Sequence, residues 1–82
     1  MGTTLHVGNL SASTTDDELL LRFEDHGAVE SATVSRDPRT GSSKRVACVV
    51  MLNDEEAQAA VDWLHLSQFS GRTISVNRVR TH

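Results

Sequence analysis

The sequence is short of the residues that usually cross-link, kink or stack: one Cys, one Pro, one Trp, two Phe and no Tyr in 82 residues. A single cysteine, Cys48, cannot form an intramolecular disulfide, and no His/Cys cluster stands beside it. A disulfide scaffold and a zinc module are both excluded, and a reducing compartment is expected. No apolar run reaches the ~18 residues of a membrane span, and residues 1–9 lack the basic and then apolar parts of a signal peptide. The expectation is a soluble intracellular chain, cytoplasmic or, in a eukaryote, nuclear, with no membrane partner. There is no phosphate-cradling glycine loop and no acid/base constellation, and a chain of this length builds a thin core rather than a deep catalytic cavity. A single domain over residues 1–82 that is not an enzyme and needs no cofactor or metal is expected.

What is present is a normal apolar fraction, 38%, enough for a folded core, and an uneven charge distribution. The formal net charge is −3, which alone argues against a polyanionic partner. Nine of the eleven acids, however, fall in residues 16–25 and 54–62, and seven of the eight bases fall elsewhere.

Both acidic segments read as helices. Thr15 with Glu18 forms a capping box, Asp16, Asp17 and Glu18 face the positive end of the helix dipole, and Leu19 and Phe23 form the buried stripe. Gly27 is positioned as a left-handed helix stop. The second helix starts at Asn53 or Asp54, carries Ala57, Ala60, Val61 and Leu64 on one face, and fades before residues 67–71. Alternation marks strands over Thr4–Gly8, Glu30–Ser35, Arg45–Leu52 and Thr73–Val79, with a nine-residue hairpin loop, Arg36–Lys44, between the second and third. The order β-α-β-β-α-β predicts an α+β fold: a ferredoxin-like split βαβ sandwich, a four-stranded antiparallel sheet with both helices on one face.

Function is then sought on the uncovered sheet face. If Leu5 and Val7 point to the helices, His6 points away, and the same parity turns Val46, Cys48 and Val50 outward, with Thr33 and Ser35 on the second strand and Ser75 and Asn77 on the fourth. The rim is basic: Arg36, Arg39, Lys44 and Arg45 at the hairpin, and Arg78 and Arg80 at the end of the fourth strand. A cationic rim around a sheet can track phosphates while the sheet holds bases; the alternative for any single loop base is a solvated surface residue, and it is weaker for the cluster. Cys48 as a nucleophile beside His6 would lack a pocket, an oxyanion donor set and an orienting group, so it reads as a small surface filler.

The motifs carry a family resemblance across essentially the whole chain. Leu5-His6-Val7-Gly8-Asn9-Leu10 resembles the first-strand hexapeptide of the RNA recognition motif family. Residues 44–51 fall at its third-strand octapeptide, in which a basic residue is followed by Gly and then by alternating aromatic and small residues. Lys44, Ala47 and Val49 keep that pattern. Supporting matches are Thr15, Leu19, Phe23 and Gly27, then Asp37, Thr40 and Gly41, the second-helix alanines, and Gly71-Arg72 with Ile74 and Val76. The resemblance implies non-catalytic binding of single-stranded RNA, or of single-stranded DNA, on the sheet face. The family's stacking aromatics would fall at positions 6, 46 and 48, where this chain has His6, Val46 and Cys48. On this reading His6 stacks, Val46, Cys48 and Val50 form an apolar floor, the six rim bases contact phosphates or bases, and Asn77 bonds a base edge.

The helices carry a competing expectation. Leu20, Leu21, Trp63 and Leu66 could form an apolar patch that docks a protein partner or a second copy of the chain; the blander reading has Trp63 packed at the core's edge and Leu21 a lone surface residue. One subclass of the family binds tryptophan-bearing peptides through an acidic first helix and an Arg-x-Phe motif, where this chain reads Ser67-Gln68-Phe69.

Overall fold

The computed structural model describes residues 2–79. The elements are β1 (Thr3–Gly8), α1 (Asp16–Glu24), β2 (Val29–Arg36), β3 (Ser43–Met51), α2 (Asp54–Leu64), β4 (Gln68–Phe69), β5 (Arg72–Thr73) and β6 (Ser75–Arg78). β2-β3-β1-β6 form one antiparallel sheet, and β4 and β5 pair separately. This is the split βαβ topology that the element order predicts.

Each helix begins where its cap dictates. The Thr15 hydroxyl accepts the Glu18 N–H at 3.2 Å while the Glu18 carboxylate accepts the Thr15 N–H at 3.3 Å, the reciprocal pair of a capping box. Asn53 Oδ1 accepts the Glu55 and Glu56 N–H groups at 2.8 and 3.2 Å, so both helices start with otherwise orphaned amides satisfied. Leu19, Phe23, Ala57, Ala60 and Leu64 from the helices join Leu5, Val7, Val34, Ala47, Val49, Met51 and Val76 from the strands in one buried cluster. Both helices therefore cover the same sheet face. The alternate strand residues are left on the other face.

Four local features depart from expectation. The hairpin loop is six residues, 37–42, because Arg36 and Ser43 pair across the sheet. It is closed by Asp37, whose carbonyl accepts the Gly41 N–H at 2.7 Å and whose N–H donates to the Ser42 carbonyl at 2.8 Å. Gly27 is not the stop of α1, which ends through a right-handed Asp25 cap. A Cβ at Gly27 would instead stand 2.5 Å from Glu56 Cβ, so the glycine is required by the approach of α2. The segment after α2 is not plain loop: Ser70 and Gly71, both at positive φ, make a two-residue turn that pairs β4 with β5. The expected fourth strand is split at Ile74, whose N–H and C=O bond Ser67 and Leu66 instead of a strand of the main sheet.

One helix side chain and one loop side chain each take an amide at a sheet edge. Asp16 Oδ1 accepts the Val34 N–H at 2.8 Å on β2, and His65 Nδ1 accepts the Val76 N–H at 3.0 Å on β6. Each occupies an amide that would otherwise invite another strand.

Asp54 joins three elements, accepting from the Thr3 hydroxyl and from Arg78 Nη2 at 2.8 Å. The Thr3 hydrogen bond first, and the Arg78 charge second, hold its carboxyl below the ordinary value of 3.8. A depressed folded value means that the contribution is complete above 3.8 and is lost as pH falls through the lowered folded value. Asp54→Asn is expected to flatten the acid limb of stability in that window, read as the urea midpoint against pH. An unchanged slope would remove Asp54 from acid unfolding.

Candidate nucleic-acid interface

The register aligns the outward side chains in rows. His6 on β1 pairs with Cys48 on β3 and with Asn77 on β6, and Cys48 pairs in turn with Thr33 on β2. Thr33, Cys48, His6 and Asn77 thus cross the whole sheet in one line, all exposed. The next line is Ser31, Val50 and Thr4. Val46 and Val50 are half-buried along β3 on either side of Cys48. His6, Val46, Cys48, Val50 and Asn77 are therefore brought together on the uncovered face. Thr33 completes the row as an element that a site search by motif passes over. Parity marks it outward, but only the register aligns it with His6.

The second half of the hexapeptide is architectural. A Cβ at Gly8 would meet Ser75 Oγ at 2.9 Å. Asn9, at φ 60°, donates through Nδ2 to the Thr73 carbonyl at 2.6 Å and accepts through Oδ1 from Arg72 Nη2 at 2.7 Å. Leu10 is buried, and its N–H donates to the Arg45 carbonyl at 2.9 Å. Together they clip the end of β1 to β5 and β3, leaving Arg72 engaged.

At the hairpin corner, Arg36 pairs with Ser43 while Val34 pairs with Ala47. Ser35 alone therefore faces Lys44, Arg45 and Val46, a bulge in β3. Within it Arg45 has φ 63°, a left-handed conformation costing a non-glycine residue about 1–2 kcal/mol. Arg36, Arg39, Lys44 and Arg45 are all exposed. Among the described residues the one ion pair is Arg78–Asp54, so these four cations and the single acid Asp37 leave an uncompensated positive corner. The acids of α1 and α2 lie in the helical layer.

The structure does not bring Arg78 to this face. It pairs with inward-facing Leu5, and its guanidinium bonds Asp54 at 2.8 Å and Gln58 at 3.1 Å on α2. Strand parity overrides its reading as a rim base. Arg80 lies outside the described residues.

On the helical side, Trp63 is 73% exposed and Leu21 and Leu66 each 66%, which overturns the packing of Trp63 at the core's edge. Leu20 is half-buried. A shallow groove of about 440 Å³ is lined by Glu18, Leu21, Arg22, Asp25 and Phe69, with the Arg22 guanidinium 5.1 Å from the centroid of the Phe69 ring. The arginine over this phenylalanine comes from α1, not from the residues before Phe69.

An open four-stranded face with Gly-Asn-Leu at its central strand end, backed by two helices, defines a class. The chain belongs to the RNA recognition motif family, whose family model matches residues 5–75. Among its relatives, the small ribosomal subunit protein cS22 of Spinacia oleracea is 40% identical over 73 residues, 89% of this chain and 28% of that protein. The putative RNA-binding protein RbpD of Nostoc is 34% identical over 77 residues, 94% of this chain and 82% of that protein. The chain spans 28–44% of the length of the first curated relatives that it matches. Among solved structures, an Sxl-lethal protein/RNA complex superposes with a TM-score of 0.88 at 34% identity, covering 94% of this chain and 47% of that one.

Proposed function

We propose that this domain binds single-stranded RNA, without catalysis, on its uncovered sheet face. His6 stacks on a base, Val46, Cys48 and Val50 form the floor beneath neighbouring bases, and Asn77 bonds the edge of the base on His6. Arg36, Arg39 and Lys44 draw in the phosphates. The observation that carries this reading is one surface on which His6 is flanked by Cys48 and Asn77, beside four cations with no ion pair among the described residues. The names of the Nostoc relative and of the RNA complex support the same chemistry.

Base stacking is worth ~1–3 kcal/mol by alanine substitution, so His6→Ala is expected to weaken binding about five- to 150-fold. The test is an amide-shift NMR titration with a randomised short RNA at low and moderate salt. Salt-sensitive shifts at His6, Val46, Cys48, Val50 and Asn77, lost in His6→Ala, are expected. No shifts at low salt would overturn the reading, and a parallel DNA titration measures how much the 2′-hydroxyl contributes.

The exposure of Trp63 and Leu21 favours a second reading, contact with a protein partner or a second copy through Leu20, Leu21 and Trp63. It requires a sedimentation coefficient that rises with protein concentration, or partner-induced shifts on α1 and α2 that are insensitive to His6→Ala.

A further inference from the structure

We propose that Arg45 is a second base platform of this interface, its guanidinium stacking on a nucleobase at the corner of the sheet where the neighbouring side chain is only Val46. The proposal rests on the RNA-binding reading above.

The starting observation is conformational. Among the described residues, four that are not glycine have positive φ: Asn9, Arg45, Leu66 and Ser70. Three have local reasons. Asn9 spends its side chain on Thr73 and Arg72, Leu66 turns its N–H to the Ile74 carbonyl, and Ser70 makes the β4–β5 turn with Gly71. Arg45, like Leu66, is held through its backbone, and its side chain makes no hydrogen bond among the described residues. Its left-handed backbone is fixed from both sides, by its N–H donating to Ser43 Oγ at 2.9 Å and by its carbonyl accepting the Leu10 N–H at 2.9 Å. Glycine would keep both hydrogen bonds and relieve the strain. A long planar cation held where glycine fits best points to a use for the side chain.

The surroundings indicate what that use is. The bulge places three β3 residues against Ser35, which breaks the strict alternation and re-aims side chains at the corner. Arg45 is exposed and has no ion pair among the described residues. It lies three residues along β3 from Cys48, the cross-strand neighbour of His6. The aliphatic Val46 offers contact but no aromatic face. A guanidinium is planar, delocalised and weakly hydrated, so it stacks on a base, whereas the compact, strongly hydrated ammonium of lysine does not.

That difference supplies the test. Binding of a fluorescein-labelled randomised RNA octamer is measured for the wild type, Arg45→Lys and Arg45→Gly across a salt series. The platform predicts that both variants lose about ten-fold or more in affinity, and that Arg45→Lys keeps the wild-type slope of log K against log salt. If Arg45→Lys binds as tightly as the wild type while Arg45→Gly lowers the slope by about 0.7, the residue is a phosphate contact and the platform is overturned. Wild-type affinity in Arg45→Gly overturns it as well. Absence of wild-type binding at low salt instead brings down the RNA reading itself. Arg45→Gly removes strain, so misfolding does not account for its loss, and its higher thermal midpoint provides the control.

Discussion

Phe23→Ala is expected to destabilise the domain by about 3–5 kcal/mol, against a total of about 4–12 kcal/mol for a chain of this length. Phe23 is fully buried and is the largest such side chain among the described residues. It projects from α1 into the cluster where Leu19 meets the inward faces of the sheet. Its removal leaves a cavity that neighbours fixed by their own strands and caps cannot fill. At roughly 4–8 °C per kcal/mol for a domain of this size, the thermal midpoint should fall by at least about 12 °C. Trp63→Ala is the matched control. The larger ring is 73% exposed, so its loss should change stability by no more than about 0.5 kcal/mol. Circular dichroism melts of the two variants decide the matter, and an equal loss in both would mean that the indole is covered in solution.

The contrast between these two aromatics illustrates what could be read in the sequence. Period-two alternation turns Leu5 and Val7 to the core and His6, Cys48 and Asn77 away from it; the first two are buried and the other three exposed. A half-covered sheet leaves little choice, since a one-residue slip would turn each strand inside out. The capping box of α1 is equally legible, because Thr15 and Glu18 interact locally. What fails is what depends on pairing between distant segments. The row through Thr33, Cys48, His6 and Asn77 needs a register that no single strand contains. Gly27 looks like a helix stop until α2 brings Glu56 against it. The β4–β5 hairpin has strands of two residues, too short to alternate, although Ser70-Gly71 is a turn signal. Arg78 is the instructive misreading, since the parity that turns Asn77 outward turns Arg78 toward α2, and its charge obscured that. The strained backbone of Arg45 leaves one trace, the glycine that the family octapeptide carries at this position; the arginine itself hides it.

The largest expected effect on binding comes from the hairpin. Arg36, Arg39 and Lys44 are exposed and have no ion pair among the described residues, so replacing all three with alanine should leave stability nearly unchanged. If each contacts one phosphate, the slope of log K against log salt should become shallower by about 2, at ~0.7 per contact on a single strand. Extrapolated to a common affinity near 1 M salt, that slope difference is a loss on the order of several hundredfold at 50 mM and about fifty-fold at 0.15 M. The chain as a whole is negative, at −3, so net charge alone predicts repulsion of RNA at every salt concentration. The two views separate cleanly in a fluorescence-anisotropy salt series. Local potential at the corner predicts steep wild-type salt dependence that the triple variant loses, with the two curves meeting at high salt. Parallel curves offset by a constant factor would mean that the three residues act on the bound complex by some route other than phosphate neutralisation. Equal affinities at 50 mM would remove the hairpin from the interface.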